Sequence, residues 1–293
     1  MTAKLGLGTV QFGLDYGISN HSGQTPFEEV VKILTVAQNQ NINFLDTAAL
    51  YGNSEETLGK AILPEDSFSI VTKTPRFEGL VIGGAEVQLL QKVFHRSLER
   101  LKHSSVYGLL MHDSDDLFKG NGSLLYHQLE DLKKEGLVKK IGVSVYTGEQ
   151  IDRLIDNFPV DLIQLPINVF DQRLIQDGYL KKLKKLNIEI HARSIFLQGL
   201  LLMDPEKLSP YFTGIKQHLL DYHSFIHDQG YTAIESAVGF ILGLQEIDTV
   251  IIGVNNSQQL SEICLRAKPL SPENFCNFAL TNEKILNPSN WRL

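Results

Sequence analysis

The sequence has few cysteines and no excess of basic residues, and each scarcity argues against a class of protein. Two cysteines, Cys264 and Cys276, in 293 residues are too few for a disulfide framework. No group of His and Cys residues has the spacing of a zinc site, so we expect no bound metal. A formal net charge of −7 argues against a nucleic-acid-binding surface, and we expect no nucleic-acid partner.

Long apolar stretches are also missing. No run of about eighteen apolar residues could cross a membrane, and the first residues, Met1–Gly6, lack the apolar run of a signal peptide. We therefore expect a cytoplasmic protein with no membrane partner. No Pro/Gly/Ser-rich linker or block of like charges divides the chain, so residues 1–293 are expected to form one domain.

The sequence does contain a regular alternation of short β-rich runs with amphipathic segments. This alternation is typical of a parallel sheet with helical crossovers, and eight strands are the number that closes a barrel. The fold class predicted is therefore α/β, a (β/α)8 TIM barrel. The predicted strands are Leu5–Val10, Ile42–Asp46, Phe68–Lys73, Val106–His112, Lys140–Val145, Leu162–Pro166, Glu189–Arg193 and Thr249–Gly253.

The segments between these strands carry apolar residues at helical spacing, often with turn residues or prolines at their ends. Residues 205–247 are longer than one crossover needs and are expected to contain an additional helix. The other predicted helices are Pro26–Gln40, one starting at Ser54, one around Leu90–Leu101, Leu124–Gly136, Gly148–Phe158, Leu180–Leu186, Ile234–Leu244 and Ser257–Ala267.

Four polar side chains lie at or just beyond the ends of three successive predicted strands. Asp46 ends the second strand and Tyr51 follows five residues later, while Lys73 and His112 end the third and fourth strands. Each has an ordinary structural explanation, since such an Asp can cap a helix, a Lys can extend into solvent and a surface His can be inert. A parallel barrel, however, gathers the carboxyl ends of its strands at one face, so the four side chains are predicted to form one active site.

This pattern resembles the aldo-keto reductases, whose catalytic tetrad is Asp, Tyr, Lys and His at these relative positions. The resemblance extends over residues 4–266. It implies hydride transfer from a reduced nicotinamide to an aldehyde or ketone, or the reverse oxidation. Further matching segments are Leu5–Thr9, Ser97–Leu101, Glu135–Ser144 and Gln198–Leu201.

The resemblance implies a role for each member of the tetrad, with Tyr51 as the proton donor. A free phenol has a pKa of about 10 and is a reluctant acid at neutral pH. The ammonium of Lys73 would favour the phenolate, and Asp46 would keep that ammonium charged and in place. His112 would donate a hydrogen bond to the carbonyl oxygen of the substrate.

The resemblance also implies a nicotinamide dinucleotide, NADPH or alternatively NADH. Ser144 and Gln164 match the residues that hold the nicotinamide carboxamide, although Val145 replaces an Asn of the family pattern. Arg193 and Ser194 follow the seventh strand, where many relatives place an aromatic ring against the nicotinamide. A guanidinium can stack on an aromatic face in the same way, or Arg193 can form an ion pair at the barrel rim.

The segment Val250–Glu262 resembles the family's binding site for the adenosine 2′-phosphate and adenine. An anion is favoured at a helix N-terminus by free backbone N–H groups and by the helix dipole. Many relatives add a Lys or Arg, whereas this segment has neutral donors, so NADPH is favoured by a smaller margin. The residues expected to contact this part of the cofactor are Gly253, Asn255, Asn256, Gln259 and Glu262.

The substrate is expected to be a small carbonyl compound. The polar residues of Gly13–Gly23 and Phe170–Arg173 favour a hydroxylated, sugar-like molecule, and further pocket residues are expected in Phe77–Gly84, in Asp113–Gly122 and at Trp291. Two alternatives remain open. One is a nucleotide-binding redox sensor or regulatory subunit with little turnover on the same fold, and the other is a lyase or isomerase with a Tyr/Lys/His site.

Overall fold

The computed structural model describes residues 4–20, 22–63 and 66–291. Its strands form one closed parallel barrel in the order β1 to β8, which confirms the predicted fold class. The barrel closes because β1 pairs with both β2 and β8, so that Gly8 lies opposite Asp46 on one side and Gly253 on the other. The strands are β1 Lys4–Gly8, β2 Phe44–Asp46, β3 Ser69–Lys73, β4 Val106–Met111, β5 Val138–Ser144, β6 Leu162–Pro166, β7 Glu189–Arg193 and β8 Thr249–Gly253.

Helices follow the strands and surround the barrel. The predicted additional helix within residues 205–247 is α8, and the short helices α6 and α11 were not predicted. No helix among residues 4–20, 22–63 and 66–291 is long and apolar enough to cross a membrane. The helices are α1 Phe27–Asn39, α2 Ser54–Ala61, α3 Gly84–Leu101, α4 Ser123–Lys134, α5 Gly148–Asn157, α6 Arg173–Gln176, α7 Tyr179–Lys185, α8 Lys216–Asp228, α9 Ala233–Leu242, α10 Ser257–Arg266 and α11 Glu283–Leu286.

The main core lies between the barrel and its helices. In α1 the buried residues are Val30, Ile33, Leu34 and Ala37, which is the spacing of one apolar stripe along a helix. Strand β6 is buried on both faces, and its residues are accordingly apolar except for Gln164. This packing fixes the strands and therefore the positions of the side chains at their ends.

A second, smaller apolar cluster consists of Val71, Leu110 and Leu162. Each lies two positions before a polar residue that borders the cavity at the carboxyl ends of the strands, namely Lys73, His112 and Gln164. Residues two apart on a strand share a face. The small cluster therefore forms an apolar layer directly beneath the polar end of the barrel.

Another polar group lies toward the opposite end of the barrel and is called the floor cluster: Tyr107, Lys140, Glu189 and His191. The Tyr107 hydroxyl donates to Glu189 at 2.7 Å, and His191 Nε2 lies 2.6 Å from the other carboxylate oxygen. Lys140 forms an ion pair with the same carboxylate. The Phe44 ring packs edge-on against Tyr107 and His191, at centroid distances of 5.1 and 5.5 Å.

Candidate active site

A cavity of about 660 Å³ lies at the carboxyl ends of the strands. Asp46, Tyr51, Lys73 and His112 all border it, so the structure brings together the four residues that the sequence placed at strand ends. These four residues are called the pocket cluster. Their convergence follows from the parallel barrel, in which β2, β3 and β4 deliver their last residues to the same face.

An ion pair between Lys73 and Asp46 lies at the bottom of the cavity. Lys73 Nζ is 2.7 and 2.8 Å from the two carboxylate oxygens and donates to the Thr47 carbonyl at 2.9 Å. Gln164 Nε2 donates to Asp46 Oδ1 at 2.6 Å. Burial lowers the pKa of Lys73, and the charge of Asp46 opposes this shift. Both charges are nearly inaccessible to water, and their mutual contacts replace the lost hydration.

The Tyr51 phenol lies above this ion pair, with its hydroxyl 3.5 Å from Lys73 Nζ. Burial raises the pKa of Tyr51 above its ordinary value, the charge of Asp46 raises it further, and Arg193 acts in the opposite direction. Tyr51 is therefore a neutral phenol at physiological pH, and the expected role of Lys73, which is to favour the phenolate, stays a prediction.

The His112 imidazole lies edge-on to the Tyr51 ring, at a centroid distance of 5.9 Å. Burial and the positive charges of Lys73 and Arg76 lower the pKa of His112 to about 3, so the ring is neutral at physiological pH. Its Nδ1 is buried and has no hydrogen-bond partner in the described part of the chain. A neutral imidazole has one donor and one acceptor nitrogen, so His112 can donate one hydrogen bond to a ligand oxygen.

Ser144 and Gln164 lie side by side on β5 and β6 and both border the cavity. Gln164 is completely buried, and its Oε1 has no hydrogen-bond partner among residues 4–20, 22–63 and 66–291. A buried acceptor without a donor is unfavourable. The pair therefore fits a carboxamide, which would offer an N–H to Gln164 Oε1 and an acceptor oxygen to the Ser144 hydroxyl.

Arg193 is held in place by its neighbours at the cavity wall. Its guanidinium lies 4.3 Å from the centroid of the Tyr146 ring, and it donates to the Val145 carbonyl at 3.1 Å and to the Ser194 hydroxyl at 3.2 Å. Within the described residues it forms no ion pair and contacts neutral groups, which argues against the alternative of an ion pair at the barrel rim and leaves stacking on the nicotinamide as a prediction. Tyr146 was not predicted as a site residue, although its position two residues after Ser144 places it at the same strand end.

The predicted adenosine-contact residues divide into two groups. Gly253, Asn255 and Gln259 border the cavity. Asn256 caps α10, where its Oδ1 accepts from the Gln259 backbone N–H at 2.8 Å. Glu262 lies on the next turn of α10 and forms an ion pair within that helix. The structure therefore brings the first three toward the cavity, whereas Asn256 and Glu262 contact the helix itself.

Two loops form the mouth of the cavity, one after β1 and one after β7. Gln198 donates to the Tyr16 hydroxyl at 3.2 Å, and its carbonyl accepts from the Ile18 N–H at 3.2 Å. Gly199 has φ of 98°, and a Cβ there would lie 2.0 Å from the Ser19 hydroxyl, so this close approach requires glycine. The loop after β7 was not predicted to shape the pocket.

Several predicted pocket segments lie elsewhere. Phe77–Gly84, Asp113–Gly122, Phe170–Arg173 and Trp291, all of which the structure describes, are absent from the cavity wall. Trp291 donates to the Ile285 carbonyl at 3.0 Å, and buried Gln172 donates to the Phe275 carbonyl at 2.8 Å. Phe170–Arg173 and Trp291 therefore pack within the C-terminal part of the chain, whereas Phe77–Gly84 and Asp113–Gly122 pair with each other through the bridge between Val81 and Gly120.

Comparison with known proteins places this arrangement in context. A model of the aldo/keto reductase family matches residues 4–278. An uncharacterised oxidoreductase of Bacillus subtilis, YqkF, is 24% identical over 277 residues, which is 88% of this chain and 89% of that protein. A D-arabinose 1-dehydrogenase of Saccharomyces cerevisiae is 30% identical over 132 residues, which is 41% of this chain and 37% of that enzyme.

Solved structures show the same fold. An aldo-keto reductase from Bacillus halodurans superimposes with a TM-score of 0.75 over 95% of this chain and 93% of that chain, at 19% identity. A glycerol dehydrogenase from Gluconobacter oxydans gives a TM-score of 0.73 over 98% of this chain and 93% of that chain, at 21% identity. At such identities the likeness establishes the barrel architecture.

Proposed function

The chain belongs to the aldo/keto reductase family, and we propose that it is an NAD(P)-dependent oxidoreductase that reduces an aldehyde or ketone to an alcohol, or catalyses the reverse oxidation. One observation carries this proposal. A neutral phenol, Tyr51, borders the cavity next to the buried Lys73–Asp46 ion pair, with neutral His112 beside it. One carbonyl oxygen between the two rings would meet an acid and a hydrogen-bond donor.

In the reduction, Tyr51 gives its proton to the carbonyl oxygen. The bound nicotinamide supplies the hydride for the carbonyl carbon. The raised pKa of Tyr51 keeps the phenol protonated before the reaction, and the Lys73 ammonium, 3.5 Å away, stabilises the phenolate that remains. Asp46 holds Lys73 in position through both of its carboxylate oxygens. In the oxidation the proton moves in the opposite direction.

His112 orients the substrate. Because its pKa is lowered to about 3, the imidazole is neutral, donates a hydrogen bond through one N–H, and is not an imidazolium that would compete with Tyr51 as the proton donor. A hydrogen bond from His112 to the carbonyl oxygen would stabilise the negative charge that develops there during the reaction.

The remaining cavity residues are proposed to bind the dinucleotide. Gln164 and Ser144 would hold the carboxamide, and the guanidinium of Arg193, supported by the Tyr146 ring, would lie against the nicotinamide together with Ser194. The start of α10 would contact the adenosine. The resemblance of this segment to the family's 2′-phosphate site favours NADPH, with NADH as the alternative.

The proposed substrate is a hydroxylated, sugar-like carbonyl compound. Hydroxyl and amide groups of Tyr16, Asn20, Tyr146 and Gln198 border the cavity and can bond to substrate hydroxyls. The relative named D-arabinose 1-dehydrogenase supports a sugar as the substrate class. Leu14 and Leu50 supply apolar contacts at the same cavity.

A turnover screen tests the proposal. Purified protein is titrated with NADH and NADPH by nicotinamide fluorescence and then assayed with aldehydes, ketones and sugars by the absorbance of the reduced cofactor. We expect binding and turnover with at least one sugar or short-chain aldehyde. Binding without turnover on any carbonyl compound would favour the redox-sensor alternative, and failure to bind either dinucleotide would favour a lyase or isomerase.

A further inference from the structure

A negatively charged side chain from a distant part of the sequence, Glu29 of α1, contacts the first turn of α10. We infer that Glu29, together with Gln259, makes this chain prefer NADH over NADPH. The inference rests on the proposed function, because it concerns the adenosine end of the same dinucleotide site. It reverses the preference that the resemblance implies, and the reason lies in contacts between α1 and α10.

Three backbone N–H groups at this helix start already have side-chain acceptors. The Asn255 N–H donates to Gln259 Oε1, the Ser257 N–H to a Glu29 carboxylate oxygen and the Gln259 N–H to Asn256 Oδ1, each at 2.8 Å. Anion binding at a helix N-terminus depends on N–H groups that are free to bond the anion. A 2′-phosphate that bonded any of these three groups would have to displace an acceptor that belongs to the protein.

The Glu29 carboxylate also brings a charge of the wrong sign for a phosphate. Its Oε1 accepts from both the Ser257 hydroxyl, at 2.6 Å, and the Ser257 N–H. Those hydrogen bonds, together with Lys32 at 3.1 Å, lower the pKa of Glu29 to about 2, so it is ionised whenever the protein is folded at ordinary pH. A negative charge at a helix N-terminus satisfies the dipole there and repels a second anion.

Cations that could neutralise a 2′-phosphate are scarce in this segment. Residues 250–262 contain neither Lys nor Arg. Lys32 is already paired with Glu29, and its side chain is 65% exposed, so water screens much of its charge. A 2′-phosphate at Asn255 and Gln259 would lie close to the Ser257–Glu29 contact without a charged partner of its own.

A 2′-hydroxyl meets none of these obstacles. It is neutral, and it can both donate and accept a hydrogen bond. The Gln259 amide borders the cavity and can bond such a hydroxyl through either its oxygen or its nitrogen. NADH can therefore bind with the contacts of α1 and α10 intact, whereas NADPH has to rearrange them.

The chain offers a matched pair of variants for the test. Glu29→Gln removes the charge but keeps an oxygen that can accept from Ser257. Glu28→Gln makes the same change in net charge one residue away, at an exposed side chain of the same helix turn. Titrations with NADH and NADPH, followed by nicotinamide fluorescence at fixed ionic strength, give a dissociation constant for each dinucleotide. Thermal unfolding verifies that both variants remain folded.

We expect the unmodified protein to bind NADH more tightly than NADPH. Glu29→Gln should tighten NADPH by about two- to fivefold and leave NADH unchanged, which is the usual size of one charge at a helix end, and Glu28→Gln should change neither. Tighter binding of NADPH by the unmodified protein, or equal effects of the two substitutions, would overturn the preference while leaving the proposed function intact. Failure to bind either dinucleotide would overturn both.

Discussion

The two ends of the barrel each hold a carboxylate, a phenol, a lysine and a histidine, but they use these groups differently. In the floor cluster, Tyr107, Lys140 and His191 all direct polar atoms at the Glu189 carboxylate. In the pocket cluster, the Asp46 carboxylate accepts from Lys73 and Gln164 and from no other side chain in the part of the protein that the structure describes. Its phenol and imidazole are therefore left for a ligand in the cavity.

This difference shows that residue types alone do not make an active site. Burial and the hydrogen bond to Glu189 raise the pKa of Tyr107 to about 12, and because its hydroxyl donates to that carboxylate at 2.7 Å, this phenol serves a structural contact. The hydroxyl of Tyr51 lies 3.5 Å from Lys73 Nζ, at the limit of a hydrogen bond, and Tyr51 borders a cavity of about 660 Å³. Groups that are held in place but not fully hydrogen-bonded are the ones able to bind and react.

The largest effect on stability is expected from breaking the buried ion pair. Lys73→Met should destabilise the protein by about 3–5 kcal/mol, because it leaves Asp46 buried without its counter-charge. Lys140→Met, the matched change in the floor cluster, should cost about 1 kcal/mol, since that side chain is 29% exposed. Urea unfolding at neutral pH gives both values. Equal losses would remove this distinction between the clusters.

Lys73→Met should also depress carbonyl reduction, because the phenolate formed at Tyr51 loses its nearby ammonium. Cofactor affinity should survive better than turnover, since Lys73 contacts Asp46, Thr47 and Tyr51. Dinucleotide fluorescence and a turnover assay on the same preparation separate the two properties. A variant that is folded and fully active would show that Lys73 only supports the fold.

The next effect is a difference between the two clusters in the pH range over which they lose their contribution to the free energy of unfolding. The folded-state pKa of His112 is lowered from 6.5 to about 3, so unfolded chains bind the proton first and stability falls as pH drops from 6.5 toward 3. For Glu189, burial raises the pKa, but hydrogen bonds from His191 and Lys140 outweigh it and lower the pKa from 4.5 to about 2. Its contribution is therefore present above pH 4.5 and lost between 4.5 and 2.

Urea unfolding of the His112→Gln and Glu189→Gln variants across this pH range tests the two windows. The stability difference from the unmodified protein should change with pH between 6.5 and 3 for the first and only below 4.5 for the second. The same pH dependence in both variants would contradict the assignment of separate environments to the two clusters.

A smaller effect is expected from the floor phenol. Tyr107→Phe removes one hydrogen bond to a charged carboxylate and should reduce the free energy of unfolding by about 1–2 kcal/mol. Carbonyl turnover should stay within about twofold of normal, because Tyr107 lies at the far end of the barrel from the cavity. Loss of activity out of proportion to the folded fraction would show that the floor cluster takes part in the reaction.

The smallest effect concerns Arg193. If its guanidinium stacks on the nicotinamide, Arg193→Ala should weaken dinucleotide binding by about two- to tenfold and leave an adenosine fragment unaffected. Tyr146→Leu, which removes the ring on which the guanidinium rests, should weaken binding in the same direction by less. An unchanged dinucleotide affinity with a raised KM for the carbonyl compound would assign Arg193 to the substrate instead.

Much of this molecule could be predicted from local sequence patterns. Strand ends are visible in a single sequence, so Asp46, Lys73 and His112 were placed correctly once a parallel barrel was assumed. The contact of Glu29 with Ser257 joins residues 228 positions apart, and no periodicity reports such a contact. The raised pKa of Tyr51 could not be predicted for a similar reason, because burial and the charge of Asp46, which the sequence does not show, cause it.

The most direct test of the central claim is a single-turnover measurement on the two phenol variants. Each protein is loaded with the reduced dinucleotide that it binds best, mixed with an aldehyde that the unmodified protein reduces, and followed by nicotinamide absorbance. Tyr51→Phe should bind the dinucleotide normally and react about a hundred- to ten-thousandfold more slowly, while Tyr107→Phe should react at the normal rate. Near-normal reduction by Tyr51→Phe, or equal slowing of both variants, would contradict the assignment of Tyr51 as the proton donor.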